Sequence, residues 1–577
     1  MVQEKTAVPP AAAPGEPGEP PRRWAALLAR PVSGRAAAAV SGGLLLFLSF
    51  PPLGLWFLAP FGVALAVLAA HGLRARRAVW PGLLLGLAFL LPALHWVSPI
   101  GTDAWLGLTA MESLFYAAWA AGSALVSRLP LWPLWSAALW VAMEKARGSF
   151  PFGGFPWVRL AFSQGESVLT PYAAVGGAPL VSFAVALCGG LLALSALRLR
   201  AAWRPASREG RTRERGAPAE RDPETRPGPK ADQGPEGRRV RAPLALALAG
   251  ALAVPAAAFA VPRHGDEGRT VRIGVIQGDV PGRGMGFLGD EPAVVLGNHT
   301  RMLHEMARAV REGRTPRPDL VVLPENSTDI DPYRSESARR QIGDAVRDIG
   351  VPVLVGAVVG IGEDGRATRS IVWDPVSGPG AYYDKQKLVP FGEYTPLKDL
   401  MFALFERAAL VGKQSVPGTR DGDLRVGPVT VGAINCYEVA YDGVVGDTAR
   451  TGATPLVVQT NNATYALTNL PPQQLAMSQL RAVEHNRAVV TSAITGISAL
   501  VTPDGEVTWR TGELVPAMDV LTVPVRSEQT IATRAGALPE WVLILMGAGA
   551  VAAVAARRIR NLAHSAGGRD EQQVGDA

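Results

Sequence analysis

Three polar residues stand just past apolar, strand-like runs. Glu325 ends VVLPE, Lys385 lies within YYDKQKLVPFGEY, and Cys436 ends VTVGAINC before a further glutamate. Buried parallel strands in open α/β sheets place reactive groups at their ends. Each residue also has a structural reading: Glu325 as a helix cap, Lys385 as a surface lysine, Cys436 as a small buried hydrophobe. As a set they fit acyl chemistry. A cysteine attacks a carbonyl as the thiolate. A carboxylate whose pKa is raised by desolvation can take the thiol proton. A lysine beside the carbonyl can stabilise the tetrahedral oxyanion.

Competing chemistries lack their residues. The chain has no G-x-S-x-G elbow, no H-E-x-x-H zinc motif and no G-x-x-x-x-G-K-[ST] loop. The run Gly282-Arg-Gly-Met-Gly286 lacks dinucleotide spacing and reads as a flexible loop. The two cysteines, Cys188 and Cys436, suggest neither a disulfide nor a metal site. No metal or cofactor is therefore expected.

The elements that must position the three residues alternate. Strands are predicted at Thr270–Gln277, Asp319–Pro324, Val351–Val358, Ser370–Trp373, Ala381–Leu388, Pro428–Asn435, Pro455–Thr460, Ala488–Ser492 and Gly496–Thr502. Helical spacing marks Ala293–Glu312, Arg339–Ile349, Gly443–Thr451 and Gln473–His485. Strands alternating with helices imply a layered α/β domain.

The rest of the 577-residue chain is apolar in long runs. These lie near Ala37–Phe50, Leu53–Ala70, Val79–Val97, Ala104–Val126, Leu131–Met143, Leu169–Leu197, Pro243–Val261 and Trp541–Ala556. A membrane-crossing helix needs roughly 20 apolar residues, and the fifth run is the shortest of the set. Arginines precede the first run (Arg22, Arg23, Arg30, Arg35) and follow the second (Arg74, Arg76, Arg77), fourth (Arg128) and eighth (Arg557, Arg558, Arg560). With eight spans all of them share one side, which the positive-inside rule makes cytoplasmic. The α/β domain then faces outward.

Net charge is +7. Nearly all of the excess comes from Arg198–Arg241, with 13 Arg/Lys against seven Asp/Glu, so nucleic-acid binding is a poor reading. That segment reads as a solvated cytoplasmic loop, with anionic lipid headgroups as the alternative contact. The expected organisation is a disordered cytoplasmic tail at 1–34, six spans in 35–197, a basic linker at 198–242, a seventh span at 243–262, a catalytic domain at 263–535, an eighth span at 539–556 and a cytoplasmic tail at 557–577.

LPEN, K-x-x-L-V-P-F-G-E-Y and INCYE together resemble the carbon–nitrogen hydrolase (nitrilase) superfamily, an αββα sandwich with a Glu–Lys–Cys triad. Glu144–Gly148 (EKARG) and Gly154–Gln164 (GFPWVRLAFSQ) extend the likeness. Over roughly residues 35–556 the chain is similar to the apolipoprotein N-acyltransferase family. The resemblance implies a cell-membrane enzyme of a bacterium that acylates lipoproteins. Cys436 would take an acyl chain from a phospholipid as a thioester and pass it to the α-amine of a diacylated N-terminal cysteine. Glu325 would be the proton acceptor and Lys385 the oxyanion support. Glu393 matches a further essential acid, and Tyr437 and Glu438 match positions implicated in activity. Trp157 and nearby aromatics suit an interfacial entrance or, more simply, interface anchoring.

Two departures bear on substrate contacts. The family's N-D-A-W-F-G stretch is Asn461-Asn462-Ala463-Thr464-Tyr465-Ala466 here, leaving Asn462 as the substrate-binding candidate. No tryptophan lies between Gly278 and Asp290, and Phe287 is its expected replacement. Two other readings stay open: a membrane-anchored amidase using the same thioester, and a silent scaffold. Some family members associate with a polyprenol-phosphate mannosyl synthase, but no glycosyltransferase domain is visible in this chain.

Overall fold

The computed structural model describes residues 32–203, 235–280, 292–328, 330–404 and 411–575. Most of the expected tail at 1–34, much of the linker at 198–242 and the loop with Gly282–Gly286 lie outside them.

The first half is helical: α1 Val32–Ser49, α2 Ala59–Ala70, α3 Ala75–Ala93, α4 Thr102–Val126, α5 Trp132–Arg147, α6 Ala173–Ala202 and α7 Pro235–Ala258. A last helix, α14 (Leu538–Gly575), returns to pack on α5. Helices thus stand at all eight apolar runs. Among the described residues only two, Thr170–Ala202 and Leu538–Asn561, are both long and apolar enough to cross a membrane. Gly34–Ser49, Trp56–Ala70 and Leu244–Ala258 are apolar but shorter. Helix α3 opens on Arg76 and Arg77 and contains Pro81 and Pro92, while α4 carries Asp103 and Glu112. α6 runs through Ala202 into the expected linker, and α14 runs far into the expected tail. Ala, Leu and Arg are strong helix formers, so neither boundary carries a stop signal. Within α6 the backbone breaks at Gly176 and Gly177.

The second half is a two-sheet sandwich. One sheet has the order β13-β1-β2-β3-β4-β5, with β6 pairing β4. Its strands are β1 Thr270–Gln277, β2 Leu320–Val322, β3 Val353–Ile361, β4 Gly365–Asp374, β5 Gly378–Asp384, β6 Gln414–Ser415 and β13 Ala517–Pro524. The other has the order β12-β11-β10-β9-β8-β7. It comprises β7 Asp423–Val426, β8 Val429–Asn435, β9 Leu456–Thr460, β10 Val489–Ala493, β11 Ala499–Val501 and β12 Val507–Arg510. β1, β2 and β3 are mutually parallel, as are β8, β9 and β10.

Side-chain alternation explains the layers. Ile273 and Val275 of β1 point into the core between the sheets, where they join Val431, Ala433, Val457 and Val490 of the opposite sheet. Ile276 instead joins the layer formed by α8 (Pro292–Arg311) and α9 (Glu336–Ile349). Helix α9 starts where Ser335 accepts the Ala338 N–H and stops at Gly350, whose φ of 69° suits a left-handed cap.

The outer face of the second sheet carries α11 (Asp442–Arg450) and α12 (Leu470–His485). The helical half covers that layer. Trp157, Leu160 and Phe162 share one apolar core with Tyr437, Val439, Met477 and Leu480. The halves therefore meet directly behind the strand that leads into Cys436.

Candidate active site

Glu325 follows β2 after Leu323 and Pro324. Its loop presses against β3 at Gly356, where a Cβ would sit 2.1 Å from the Pro324 carbonyl oxygen, so only glycine fits. Cys436 follows β8 directly and Asn461 follows β9 directly, both at the C-terminal ends of parallel strands. Lys385 follows β5. That strand is antiparallel to β4 and ends its sheet, so the expectation of three parallel strand ends is corrected for Lys385. The Lys385 N–H is instead fixed by the Thr368 carbonyl (2.9 Å) and its carbonyl by the Gly418 N–H (2.8 Å).

The structure brings the expected charged groups together. Lys385 Nζ lies 3.0 Å from Glu325 Oε1 and 3.0 Å from Glu393 Oε1. Glu325 Oε2 accepts the Asn461 N–H at 2.9 Å, and Glu393 Oε2 accepts the Val389 N–H at 2.7 Å. An ammonium has three donors, so one on Lys385 has no partner among the described residues. Burial works against the Lys385 charge, but the Glu325 and Glu393 carboxylates outweigh it and hold its pKa well above the ordinary value. Burial also raises the Glu325 pKa; Lys385 opposes this and Glu393 adds to it.

Cys436 opens a single 3₁₀ turn, Cys436–Ala440, with φ of 48°, a strained value for a residue with a Cβ. Burial first, and then the Glu325 carboxylate, push its thiol up to about 12 against the opposing effect of Lys385 and the Thr460 hydroxyl. At neutral pH the sulfur thus holds its proton and needs a base to lose it.

Glu438 links the lysine loop to the cysteine turn. Its Oε1 accepts from Gln386 N (2.6 Å), Lys387 N (3.1 Å) and the Tyr383 hydroxyl (2.9 Å). Its Oε2 accepts from Asn435 N at 2.8 Å, closing a capping box with the Asn435 side chain. Burial pushes its pKa up to about 7, against the stabilising N–H groups and Lys385.

Sequence reasoning missed Thr460 and Gln474. Thr460 Oγ1 lies 3.1 Å from Cys436 Sγ, 3.0 Å from Asn462 Oδ1 and 3.1 Å from Gln474 Oε1. Thr460 ends β9, so the strand-end rule that singled out Cys436 also pointed to it. Asn462 is 2 % exposed and spends its amide on Gln474 (2.9 Å). It packs behind Thr460 and offers no surface to a substrate here. Phe287 lies outside the described residues.

Trp157 corrects the interfacial reading. It is 2 % exposed, donates Nε1–H to Gln473 at 2.8 Å and stacks on Tyr437 at 6.0 Å between ring centroids. Its neighbour Gly154 (φ 81°) crosses Gly148 so closely that a Cβ would meet the Gly148 carbonyl carbon at 2.0 Å. The chain doubles back there, which tucks the GFPW segment inward under the turn that begins at Cys436. A tryptophan anchored at a lipid surface would need the opposite exposure.

Residues 42–191 match the family model described as apolipoprotein N-acyltransferase N-terminal domain, and residues 290–535 match carbon-nitrogen hydrolase. The chain is 38% identical over 523 residues to an apolipoprotein N-acyltransferase of Mycolicibacterium smegmatis, covering 89% of this chain and 83% of that one. It is 27% identical over 555 residues to one from Pseudomonas paraeruginosa, covering 90% and 97%. Among solved structures, an amidase from Nesterenkonia sp. is 20% identical with a TM-score of 0.32, over 45% of this chain and 92% of that one. With both halves matched and most of a 38%-identical relative covered, the chain belongs to the apolipoprotein N-acyltransferase family and is an N-acyltransferase of that type.

Proposed function

We propose that the chain moves one acyl chain from a membrane phospholipid to the α-amine of the S-diacylglyceryl-cysteine that begins an apolipoprotein, giving a triacylated product. In the first half-reaction Cys436 Sγ attacks the ester carbonyl and its proton passes to Glu325. The ester C–O bond breaks, the proton moves on to the leaving oxygen, and a lysophospholipid departs. In the second, the amine attacks the Cys436 thioester, gives up a proton through Glu325, and the thiol is restored. The unpartnered donor of Lys385 serves the oxyanion in both steps. Glu393 fixes Lys385, and Glu438 and Tyr437 fix the turn that carries the sulfur.

The observation that carries this reading is the convergence of Glu325, Lys385 and Cys436 at one end of the sandwich, with the sulfur in electrostatic reach of both charges. Eight helices in the membrane, with arginine groups on the cytoplasmic side and the sandwich at 263–535 outside, would deliver both lipid substrates to the sulfur. None of the named relatives points to a polyprenol-phosphate mannosyl synthase, and the reaction needs no such partner. The test is to incubate the purified chain with phospholipid and a diacylated lipopeptide. The peptide gains the mass of one acyl chain with wild type and none with Cys436→Ala. Free fatty acid in place of acylated peptide would favour an amidase-like hydrolase.

A further inference from the structure

The strained φ of Cys436 persists only if its surroundings hold it. Glu438 and Asn435 hold the start of the turn. Its far end is held by charge. Asp442, the first residue of α11, lies between two buried arginines. Arg159 Nη1 is 2.7 Å from Oδ2, and Arg481 Nη2 is 2.7 Å from Oδ1. Arg481 also donates Nε–H to the Val439 carbonyl at 2.9 Å, inside the turn itself. Arg159 is in turn oriented by Glu144, 3.5 Å from Nε, and Glu144 accepts the Leu160 N–H at 2.8 Å. Beside this cluster the Gly154 carbonyl accepts from the Tyr441 hydroxyl at 3.0 Å and the Tyr437 hydroxyl at 3.2 Å.

Arg481 belongs to the sandwich, whereas Arg159, Glu144 and Gly154 belong to the helical half. We infer that Asp442 is a positioning residue for Cys436, and that Arg159 makes the helical half part of the catalytic scaffold by clamping Asp442 from the side opposite Arg481. The inference rests on Cys436 being the nucleophile. A carboxylate between two guanidiniums is fixed in direction as well as place, because each guanidinium presents a planar fork of donors. Removing one arm frees the turn to relax from the strained φ and swing the sulfur away from Glu325.

The experiment follows acylation of Cys436 by intact-protein mass, using the full chain in detergent micelles with dipalmitoyl phosphatidylethanolamine and no acceptor. Asp442→Asn and Arg159→Gln are expected to slow acylation at saturating phospholipid at least tenfold, with half-saturation changed less than threefold. Asp442→Glu is expected to recover much of the rate. Arg159→Gln leaves the Asp442–Arg481 pair intact, so it decides the matter if Asp442→Asn does not fold. Wild-type acylation rates in a folded Arg159→Gln would overturn the clamp. So would a defect confined to half-saturation, or loss of fold in Arg159→Gln, which would show a docking contact alone. If the wild type itself forms no adduct, the nucleophile assignment falls and the clamp with it.

Discussion

Lys385 reaches across 60 residues of sequence to place its ammonium 3.0 Å from Glu325 Oε1, and both side chains are buried. Burial alone would push a lone carboxylate in that position toward its protonated form. A lone carboxylate beside a lone lysine would be held strongly ionised. Glu393 moderates the second effect by drawing on the same lysine. Glu325 is thereby left with a pKa above the ordinary carboxylate range, suited to accepting a thiol proton.

The sign of the pH dependence follows. On the proposed mechanism Glu325 acts as the carboxylate, and its pKa in the fold is raised above 4.5. Acylation of Cys436 should therefore be lost as pH falls through that raised value and level off above it. Glu325→Gln removes the acceptor and should slow acylation by about 10²–10⁴ and abolish this limb. Stopped-time mass measurement across pH 4 to 9 checks both.

Lys385→Met should be the most damaging change to stability among the charged residues of the site. It leaves buried Glu325 and half-buried Glu393 without a cation, and removing one partner of a buried pair costs about 3–5 kcal/mol. Glu393→Gln should be milder. It keeps an acceptor for Lys385, lowers kcat and leaves KM nearly unchanged. Thermal melts in detergent and steady-state kinetics separate the two effects.

Glu438 should make stability depend on pH. Its folded pKa, about 7, lies above the ordinary 4.5. The fold therefore binds that proton more tightly than the unfolded chain does. The stabilisation is fully present below about 4.5 and lost as pH rises through about 7. Glu438→Gln should remove this loss. It should also slow acylation, because its amide would turn a donor toward the Asn435 N–H. Melting temperatures at pH 5 and 8, compared with wild type, test the claim.

Gly356→Ala should injure catalysis without touching any charged group. Its Cβ would be forced against the Pro324 carbonyl at 2.1 Å, and the loop that carries Glu325 must move to make room. Activity should fall at least tenfold, since misplacing a reacting group by about 1 Å can cost 10²-fold. Lys385, Glu393 and Cys436 would be chemically unchanged.

The sequence made some parts of this legible and hid others. Glu325, Cys436 and the strands beneath them were visible because a buried parallel strand is a short, almost uniformly apolar run with a polar stop. Lys385 stood out only through its motif, since β5 is an edge strand with exposed positions. β12 and β13 went unread because their apolar residues are interrupted by Asp519, Thr508 and Thr522, which the pairing tolerates at a sheet margin. Trp157 reads as interfacial from the sequence because composition cannot show a chain doubling back at Gly154. The eight apolar runs all hold helices, yet among the described residues length and hydropathy single out two of them. Three of the others, Gly34–Ser49, Trp56–Ala70 and Leu244–Ala258, are apolar but short, and a buried Glu112–Arg147 pair at 3.1 Å lies between two more.

The most direct measurement is the mass of the intact chain after incubation with phospholipid and no acceptor. The expected result is a single added acyl chain on Cys436, removed by neutral hydroxylamine, absent in Cys436→Ala and strongly delayed in Glu325→Gln. An adduct that persists in Cys436→Ala, or acyl transfer to the lipopeptide by that variant, would contradict the account.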